Sequence, residues 1–225
     1  RFAKVLREAG ADVVVTARRA ERLERLASEL DAVAVAGDIT SAEHRQAVAA
    51  AVADRFGVLD ILVNNAGVCD DGPLEDQTLD ELNTVVQVNL VAVLDLCRLM
   101  APLLFASDHG SVINIASIYG LVASRGPMAA YNSTKAALVG LTRHLAAQWG
   151  PRRVRVNALA PGYFPSELTG MLADPGFVAH IESRTLLARA PSIDELDGPL
   201  LFLASDASSY VTGHTLVVDG GWTCT

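Results

Sequence analysis

Residues 110–117 read GSVINIAS, a short apolar run that stands between a glycine and a serine. A run of this length, rich in valine and isoleucine, is typical of a strand buried on both faces of a parallel sheet. Five comparable runs recur along the chain: ADVVVTA at 11–17, DAVAVAGD at 31–38, LDILVNNAG at 59–67, VRVNALAPG at 154–162 and HTLVVDGG at 214–221. The sequence therefore predicts six buried parallel strands.

Segments rich in alanine and leucine, with apolar residues at helical spacing, lie between these runs. The clearest are 20–30, 41–56, 79–104, 131–149 and 193–203. Thr40 and Ser41 offer a capping residue before the second of them. Alternating strands and helices predict an α/β fold in three layers, a doubly wound parallel sheet of the Rossmann type between two layers of helices.

The length and composition favour a single domain over residues 1–225. The chain has 225 residues, of which 51% are hydrophobic and 20% charged, enough for one sizeable core. Residues 161–191, with scattered proline and glycine, form the least regular stretch. We expect them to make a small substrate-binding excursion above the sheet rather than a second domain.

The opening stretch, RFAKVLREAGADVVV, begins in a predicted helix and runs straight into a strand. A doubly wound nucleotide-binding fold places a strand and a glycine-rich turn before that helix. We therefore expect about twenty further residues upstream in the natural protein. Without them the sheet has a gap near its middle. A chain that is short by nature, and impaired in folding or function, is the alternative.

The charge and cysteine patterns exclude several classes of partner. The formal net charge is -8, the pI is about 5.0, and no basic block interleaves with aromatic residues. This argues against a nucleic-acid groove and a polybasic membrane contact. The apolar runs look too short or too interrupted to span a bilayer. Scattered cysteines and histidines show no disulfide framework and no metal-ligand spacing, which favours a reducing compartment such as the cytoplasm.

Seven short motifs stand in order along the chain: GDIT (37–40), NNAG (64–67), VNL (88–90), INIAS (113–117), YNSTK (131–135), NALAPG (157–162) and VDGG (218–221). Each motif alone is weak, but their order on the predicted elements is specific. Over its whole length the chain resembles the short-chain dehydrogenases/reductases. The resemblance implies a nicotinamide-dependent oxidoreductase that assembles as a homotetramer or homodimer. The chain departs from the family in lacking the TGxxxGxG turn, so we expect the pyrophosphate-binding turn to lie upstream of it.

Tyr131 and Lys135 are four residues apart, which places them on one helix face, one turn from each other. Lys135 is one of only two lysines in a chain that otherwise uses arginine. A nearby ammonium favours the phenolate, and a phenol whose pKa is lowered toward neutrality serves better as a general acid or base. Lysine also offers three rotatable donors on a compact charge, which suits the two ribose hydroxyls of a nicotinamide nucleotide. We therefore interpret Tyr131 as the acid/base and Lys135 as its partner.

Two further polar residues complete the predicted catalytic set. Ser117 follows the strand VINIA at the sheet edge where open α/β proteins bind ligands, and its hydroxyl can hold a substrate oxygen near Tyr131. A serine that only caps a turn is the alternative. Asn89 falls within the predicted helix 79–104, where asparagine is a poor helix former. We expect its side chain to open the helix and hold a water linked to Lys135, a proton-relay role that the resemblance implies.

The adenosine side of the cofactor is expected at two of the motifs. Small residues of NNAG allow a close approach of the backbone, and we assign Asn65, Ala66 and Gly67 to cofactor binding. Asp38 and Ile39 follow the second strand, a position that family members use to hold adenine. A carboxylate that caps the following helix is the alternative for Asp38.

The residues after the first strand predict the cofactor's identity. NAD-specific proteins usually end this strand in an acidic residue that binds the ribose 2′-hydroxyl. Here Ala17 takes that place, and Arg18 and Arg19 follow. Arginine suits a 2′-phosphate through charge and bidentate hydrogen bonds, so we predict NADP(H), with NAD(H) possible and Arg18 the better candidate. Two solvated surface arginines are the alternative.

The stretch APGYFPSELT is expected on the nicotinamide side. Pro161 and Gly162 would shape a wall beside the ring, Phe164 would offer its backbone to the carboxamide, and Ser166 would offer a hydroxyl. Outside this context a Pro-Gly pair indicates only an ordinary turn.

Together these residues predict hydride transfer between NADP(H) and a small carbonyl or secondary alcohol. A 3-oxoacyl thioester on a carrier protein is an alternative substrate, although carriers of that kind are acidic and this chain is at -8. A dinucleotide-binding sensor or scaffold without catalysis is the alternative from another class. The complete set of Asn89, Ser117, Tyr131 and Lys135 argues against it.

Overall fold

A computed structural model describes residues 1–70, 72–166, 172 and 174–224. Each of the six predicted strands is present: β1 Val14–Ala17, β2 Val33–Ala36, β3 Ile61–Asn64, β4 Ser111–Ile115, β5 Arg155–Pro161 and β6 Thr215–Val218. Every strand pairing is parallel. All five residues of β4 are buried, as expected for the continuous apolar run within GSVINIAS.

The helices alternate with these strands: α1 Phe2–Glu8, α2 Ala20–Leu30, α3 Ala42–Phe56, α4 Leu79–Val86, α5 Ala92–Phe105, α6 Ala129–Trp149, α7 Pro175–Arg184 and α8 Asp197–Ala204. The predicted cap of α3 is confirmed, because the Ser41 side chain accepts a hydrogen bond from the His44 amide. The predicted helix 193–203 begins instead as a 3₁₀ turn over Ile193–Leu196, ahead of α8. The sequence did not predict α7, which lies within the irregular stretch.

The strands fall into two parallel sheets, one of β1 and β2 and one in the order β3-β4-β5-β6. Among the described residues no strand pairing joins the two sheets, so the gap expected near the middle of the sheet is present. The parallel register aligns the carboxyl ends of β3, β4 and β5, with Asn64 opposite Asn114 and Ile115 opposite Leu159. The segments that follow these three strands are therefore neighbours at one edge.

Helices cover both faces of the larger sheet, which confirms the predicted α/β fold. One core cluster joins residues of α3, α5 and α6 to the sheet, with Leu104, Val112 and Val156 completely buried. The second cluster joins α1 and α8 to the opposite face, where Ile113 and Leu200 are completely buried. Alternate residues of β4 thus supply opposite sides of the core.

The segment predicted as one helix over 79–104 is interrupted. A π-helical turn over Gln87–Val91 separates α4 from α5, and Asn89 lies at its centre. By length and composition alone the combined segment Leu79–Phe105 could cross a membrane, since its most apolar 18-residue window has a mean hydropathy of 1.8. The segment is therefore longer than expected of the apolar runs, but core helices of soluble proteins pass the same test. Six residues of α5 are buried in the protein.

Candidate active site

The structure brings the three central catalytic candidates together at the carboxyl edge of the larger sheet. Ser117 follows β4 and is 6% exposed, while Tyr131 and Lys135 lie in the first two turns of α6. The Ser117 hydroxyl lies close enough to the Tyr131 phenol to favour the phenolate. Ser117 accepts a hydrogen bond from the Tyr119 amide at 3.1 Å, so it caps a 3₁₀ turn. The capping role is therefore confirmed, and the role toward a substrate oxygen stays a prediction.

Gly120 allows this turn to lie against α6. A Cβ atom at Gly120 would stand 2.7 Å from the backbone oxygen of Lys135, closer than real contacts allow. Any other residue would push the turn carrying Ser117 away from the helix carrying Tyr131. The sequence analysis did not single out Gly120, because a glycine in a loop usually indicates only a turn.

Lys135 is 4% exposed, and its Nζ donates a hydrogen bond to the Ile115 carbonyl at 2.7 Å. Its Nζ also lies 5.6 Å from the centre of the Tyr131 ring. Burial lowers the pKa of Lys135 to about 8, and a charge on the nearby Cys69 thiol would act in the opposite direction. The amine therefore still carries a proton at neutral pH.

The pKa of Tyr131 is raised from its ordinary value, because burial disfavours the phenolate more than the nearby Ser117 hydroxyl favours it. The sequence led us to expect that Lys135 would lower this pKa. The structure shows no such effect, since the ammonium of Lys135 is bound to the Ile115 carbonyl, beside the ring.

Asn89 is completely buried within the π-helical turn, which confirms that it opens the predicted helix. Its Oδ1 accepts from the Val68 amide at 2.9 Å, and its Nδ2 donates to the Val68 carbonyl at 2.8 Å. Nδ2 also donates to Thr134 Oγ1 at 3.1 Å. Both hydrogens of Nδ2 are thus committed to protein atoms. The water of the predicted relay would therefore have to bind Asn89 Oδ1 or a backbone carbonyl, and this relay stays a prediction.

The NNAG residues lie where the sequence placed them, directly after β3. Asn65 and Ala66 are exposed and Gly67 is partly buried. A Cβ atom at Gly67 would stand 3.5 Å from Lys135 Nζ and 3.5 Å from Asn89 Oδ1. The small residue therefore leaves space beside the lysine amine, where a ribose can be bound.

The predicted adenosine side is assembled around the loop after β2. Asp38 Oδ1 accepts from the backbone amide and from the hydroxyl of Thr40, each at 2.9 Å. These bonds, with a smaller contribution from the positive charge of Arg18, lower the pKa of Asp38. The carboxylate caps a local turn, since Ser41 caps α3. Ile39 packs its partly buried side chain against the core, so only its backbone remains for adenine.

Arg45 anchors this loop and was missed by sequence reasoning. Its side chain is buried and donates to the backbone oxygens of Ile39 and Thr40, at 2.8 and 2.9 Å. Its Nε also donates to Asp95 of α5 at 2.6 Å. Nothing in the sequence distinguishes Arg45 from the other arginines on predicted helices.

Arg18 and Arg19 are both exposed after β1, and Arg19 is the N-cap residue of α2.

The predicted nicotinamide wall follows β5, of which Pro161 is the last residue. The Gly162 amide donates to the Val218 carbonyl at 2.8 Å, and a Cβ atom there would stand 3.0 Å from the Asp219 Cα. The side chain of Phe164 is buried in the core, which leaves its backbone for the expected role. Ser166 is exposed, and residues 167–171 of the excursion lie outside the described part of the chain.

An aromatic cluster beside the site was not predicted. The Tyr163 ring stands 5.2 Å from Phe177 of α7 and 5.1 Å from Trp222, measured between centroids. The hydroxyls of Tyr119 and Tyr163 are hydrogen-bonded to each other. Burial and the Tyr119 contact raise the pKa of Tyr163. The residues of this cluster come from segments that are far apart in sequence, so no local sequence pattern indicates it.

The fold and the site together define a class of protein. The carboxyl edge of an open parallel sheet is where such folds bind dinucleotides. Here that edge carries a buried amine, a phenol and a hydroxyl close to that phenol. These groups suit an oxidoreductase in which a nicotinamide cofactor carries out the redox step.

Comparison with known proteins identifies the family. A family model described as enoyl-(acyl carrier protein) reductase matches residues 1–223. Gluconate 5-dehydrogenase of Gluconobacter oxydans (strain 621H) is 36% identical over 228 residues, 99% of this chain and 89% of the relative. The 3-oxoacyl-[acyl-carrier-protein] reductase of Thermotoga maritima is 32% identical, over 94% of this chain and 87% of the relative. The chain belongs to the short-chain dehydrogenase/reductase family, whose members are NAD(P)-dependent oxidoreductases.

Solved structures agree with this assignment. The crystal structure of a gluconate 5-dehydrogenase from Burkholderia cenocepacia J2315, in complex with NADP and tartrate, has a TM-score of 0.93 and 36% sequence identity to this chain. The match covers 100% of this chain and 90% of that one. A Pseudomonas aeruginosa protein solved as an RhlG/NADP active-site complex has a TM-score of 0.91 at 33% identity, over 98% of this chain and 90% of that one.

Proposed function

We propose that the protein transfers a hydride between NADP(H) and a small carbonyl or secondary alcohol, with Tyr131 exchanging the proton. The observation that supports this most directly is the placement of the Ser117 hydroxyl near the Tyr131 phenol, with buried Lys135 one turn further along α6. The three groups lie at the edge of the sheet where a dinucleotide binds. When bound, the nicotinamide supplies or accepts the hydride.

Each residue has a separate task in this proposal. Ser117 donates a hydrogen bond to the substrate carbonyl oxygen, the same oxygen that exchanges a proton with Tyr131. This hydrogen bond orients the carbonyl. Lys135 holds the ribose hydroxyls with the donors that Ile115 does not use, and its charge favours the phenolate once it is drawn toward that ribose. Asn89 keeps the NNAG segment and α6 together and completes the proton relay. Tyr131 gives its proton to the oxygen during reduction and takes it back during oxidation.

We propose NADP(H) as the preferred cofactor. The charge of Arg18 acts on Asp38, so the arginine lies close to the loop expected to hold the adenosine. A guanidinium in that place suits a 2′-phosphate. Two relatives of known structure were solved with NADP. Asp38, Ile39, Asn65, Ala66 and Gly67 complete the proposed adenosine side.

For the substrate we favour a small polar carbonyl compound or its alcohol, as in the gluconate 5-dehydrogenase relatives. The paired hydroxyls of Tyr119 and Tyr163 place polar groups close to Tyr131, suited to hydrogen bonds with substrate hydroxyls. A 3-oxoacyl thioester is the second candidate, supported by the reductase of Thermotoga maritima. Parallel assays with 5-ketogluconate and an acetoacetyl thioester separate the two.

Replacement of Tyr131 by phenylalanine tests the chemical role. Without the phenol we expect kcat for NADPH-dependent carbonyl reduction to fall by roughly 10²–10⁴-fold, because a general acid usually contributes that factor to the rate. The Kd for NADPH should change by less than about three-fold, because the ribose contact belongs to Lys135. Steady-state kinetics and calorimetry measure these two quantities.

Tyr210→Phe is the matched control for this experiment, because Tyr210 is fully exposed and should be silent. Carbonyl reduction that survives in Tyr131→Phe contradicts the proposed mechanism. A wild-type protein that binds NADPH but turns over no carbonyl in a broad panel supports the sensor or scaffold function instead.

We further propose that the protein is a homotetramer or homodimer. Apolar side chains of α5 and α6 line a shared groove that includes Leu94, Ala101, Phe105, Leu141 and Leu145. A second copy packed along both helices would cover it. Light scattering at micromolar concentration should give a multiple of the 23.7 kDa calculated for this chain, and a monomeric mass would contradict the proposal.

A further inference from the structure

The helix that carries Tyr131 has no capping residue of its own. Met128, at the N-cap position of α6, makes no side-chain hydrogen bond to the first turn. The first amides of an α-helix have no partner within the helix and need acceptors from elsewhere. In this protein the acceptor is Asp70, sixty residues earlier in the chain: its Oδ2 accepts from the Ala130 amide at 3.0 Å and its Oδ1 from the Tyr131 amide at 2.8 Å.

Asp70 is itself held in place. The residue is 8% exposed, so its carboxylate is largely removed from water. Gln77 Nε2 approaches Asp70 Oδ2 at 3.4 Å and donates to the Gly72 carbonyl at 2.9 Å. A carboxylate that receives two backbone amides at a helix N-terminus makes short, charge-assisted hydrogen bonds and is stabilised by the helix dipole. The first turn of α6 is therefore fixed from outside the helix.

The same segment also carries the predicted cofactor contacts. Asp70 follows NNAG by three residues, and Val68 between them exchanges two hydrogen bonds with Asn89. Asn89 in turn donates to Thr134, on α6. The segment after β3 is thus joined to α6 at two points, through Asn89 and through Asp70.

We propose that Asp70 is a positioning residue for the reaction: it fixes the first turn of α6 so that the Tyr131 phenol stays close to the Ser117 hydroxyl. Asp70 contacts the backbone of Tyr131 and acts through it, so it is not a catalytic residue itself. This inference rests on the proposed function, in which Tyr131 exchanges the proton. It assigns a role to a carboxylate that the catalytic set does not include.

The test compares Asp70→Asn, Asp70→Ala and Thr78→Ala. Asparagine keeps one acceptor oxygen of similar shape, while alanine keeps none. Thr78 caps a different helix, α4, with a capping box and is exposed, so Thr78→Ala removes one ordinary helix cap without touching the Asp70 carboxylate. Amide hydrogen exchange of residues 129–133 reports on the cap without turnover. The kinetic readouts are kcat, KM for the carbonyl substrate and the Kd for NADPH.

We expect exchange at residues 129–133 to quicken by roughly ten-fold or more in Asp70→Ala, the usual effect of losing one to two charge-assisted hydrogen bonds. We expect kcat to fall at least ten-fold with the Kd for NADPH within two-fold, a partial return of kcat in Asp70→Asn, and no loss of kcat in Thr78→Ala. Unchanged exchange in Asp70→Ala overturns the proposal, and so does quickened exchange with unchanged kcat.

An equal fall of kcat in Thr78→Ala also overturns the proposal, because the effect would then follow from stability alone. The failure of the proposed function is recognised separately. In that case the wild-type protein reduces no carbonyl in the panel, while the exchange measurement still decides whether Asp70 fixes the first turn of α6.

Discussion

Lys135 keeps an ammonium group in a position that is 4% exposed, with the Ile115 carbonyl as its hydrogen-bond acceptor. A buried charge costs free energy, and the lowered pKa of this amine, about 8 against an ordinary value of 10.5, records that cost. The lysine is thus unfavourable for folding and useful for binding a ribose. Lys135 therefore lowers the stability of the protein while it serves the proposed site.

Lys135→Met should therefore stabilise the protein at pH 7. Below pH 8 the folded protein carries the full cost of the buried charge, so we expect a gain of about 1–3 kcal/mol in the free energy of unfolding, less about 1 kcal/mol for the lost hydrogen bond. Between the folded pKa of about 8 and the unfolded value of 10.5, the unfolded chain binds more protons than the folded one. Wild-type stability then rises with pH relative to the variant, and the gain shrinks.

Urea unfolding at pH 7 and at pH 10 measures this difference. Lys4→Met is the control, because Lys4 is the chain's other lysine and its side chain is exposed. A Lys135→Met protein that is less stable than wild type at pH 7, or a difference that does not change with pH, would show that the buried charge carries no such cost.

Arg18→Glu should reverse the cofactor preference. A carboxylate repels a 2′-phosphate and accepts hydrogen bonds from a 2′-hydroxyl, so we expect the Kd for NADPH to rise roughly ten-fold or more while the Kd for NADH stays or falls. Arg25→Glu, on an exposed position of α2, applies the same charge change as a control. Equal losses in both variants would assign the effect to general charge rather than to Arg18.

At the scale of single elements, the break between α4 and α5 shows how a buried polar side chain can interrupt a helix and bind neighbouring segments. From the π-helical turn, Asn89 makes three hydrogen bonds to Val68 and Thr134, and it lines the space beside Lys135. Sequence reasoning located this break because asparagine is a poor helix former at a position flanked by apolar residues. It did not identify Val68 and Thr134 as partners, because their contacts depend on how α4, α6 and the segment after β3 pack.

Asn89→Ala should destabilise the protein by about 2–4 kcal/mol, since it leaves the partly buried backbone groups of Val68 and the buried Thr134 hydroxyl without their partner. Asn83→Ala, at an exposed position of α4, should stay within about 0.5 kcal/mol of wild type. Urea denaturation with a constant m-value measures both. An Asn89→Ala protein as stable as the Asn83→Ala protein would mean that water replaces the amide at little cost.

The catalytic helix shows where sequence reasoning succeeds and where it fails. Tyr131 and Lys135 were assigned correctly to one helix face, because a spacing of four residues is a local property of any α-helix. Asp70 was missed, since its bonds to that helix join residues sixty positions apart. The one available signal was negative: PMAA, at the start of α6, contains none of the residues that usually cap helices.

For the whole molecule, the strands were predictable because each is a short apolar run, and the alternation with helices then limits the topology. The expected burial is complete in β4, whereas β1 and β2 end in exposed residues. The two-part sheet followed from the same reasoning. The aromatic cluster of Tyr119, Tyr163, Phe177 and Trp222 was not predictable, because it joins segments that no periodic pattern connects. The helical segment was predicted at nearly its full length, 79–104 against Leu79–Phe105, because the turn between the two helices keeps the chain helical.

The central claim is that this edge of the sheet binds a phosphorylated nicotinamide dinucleotide and uses it for redox chemistry. Calorimetric titration of the protein against NADPH and NADH tests it most directly. The account predicts binding of both, with NADPH tighter by about ten-fold or more. No binding of either nucleotide would contradict the account, and NADH binding more tightly than NADPH would contradict the role of Arg18.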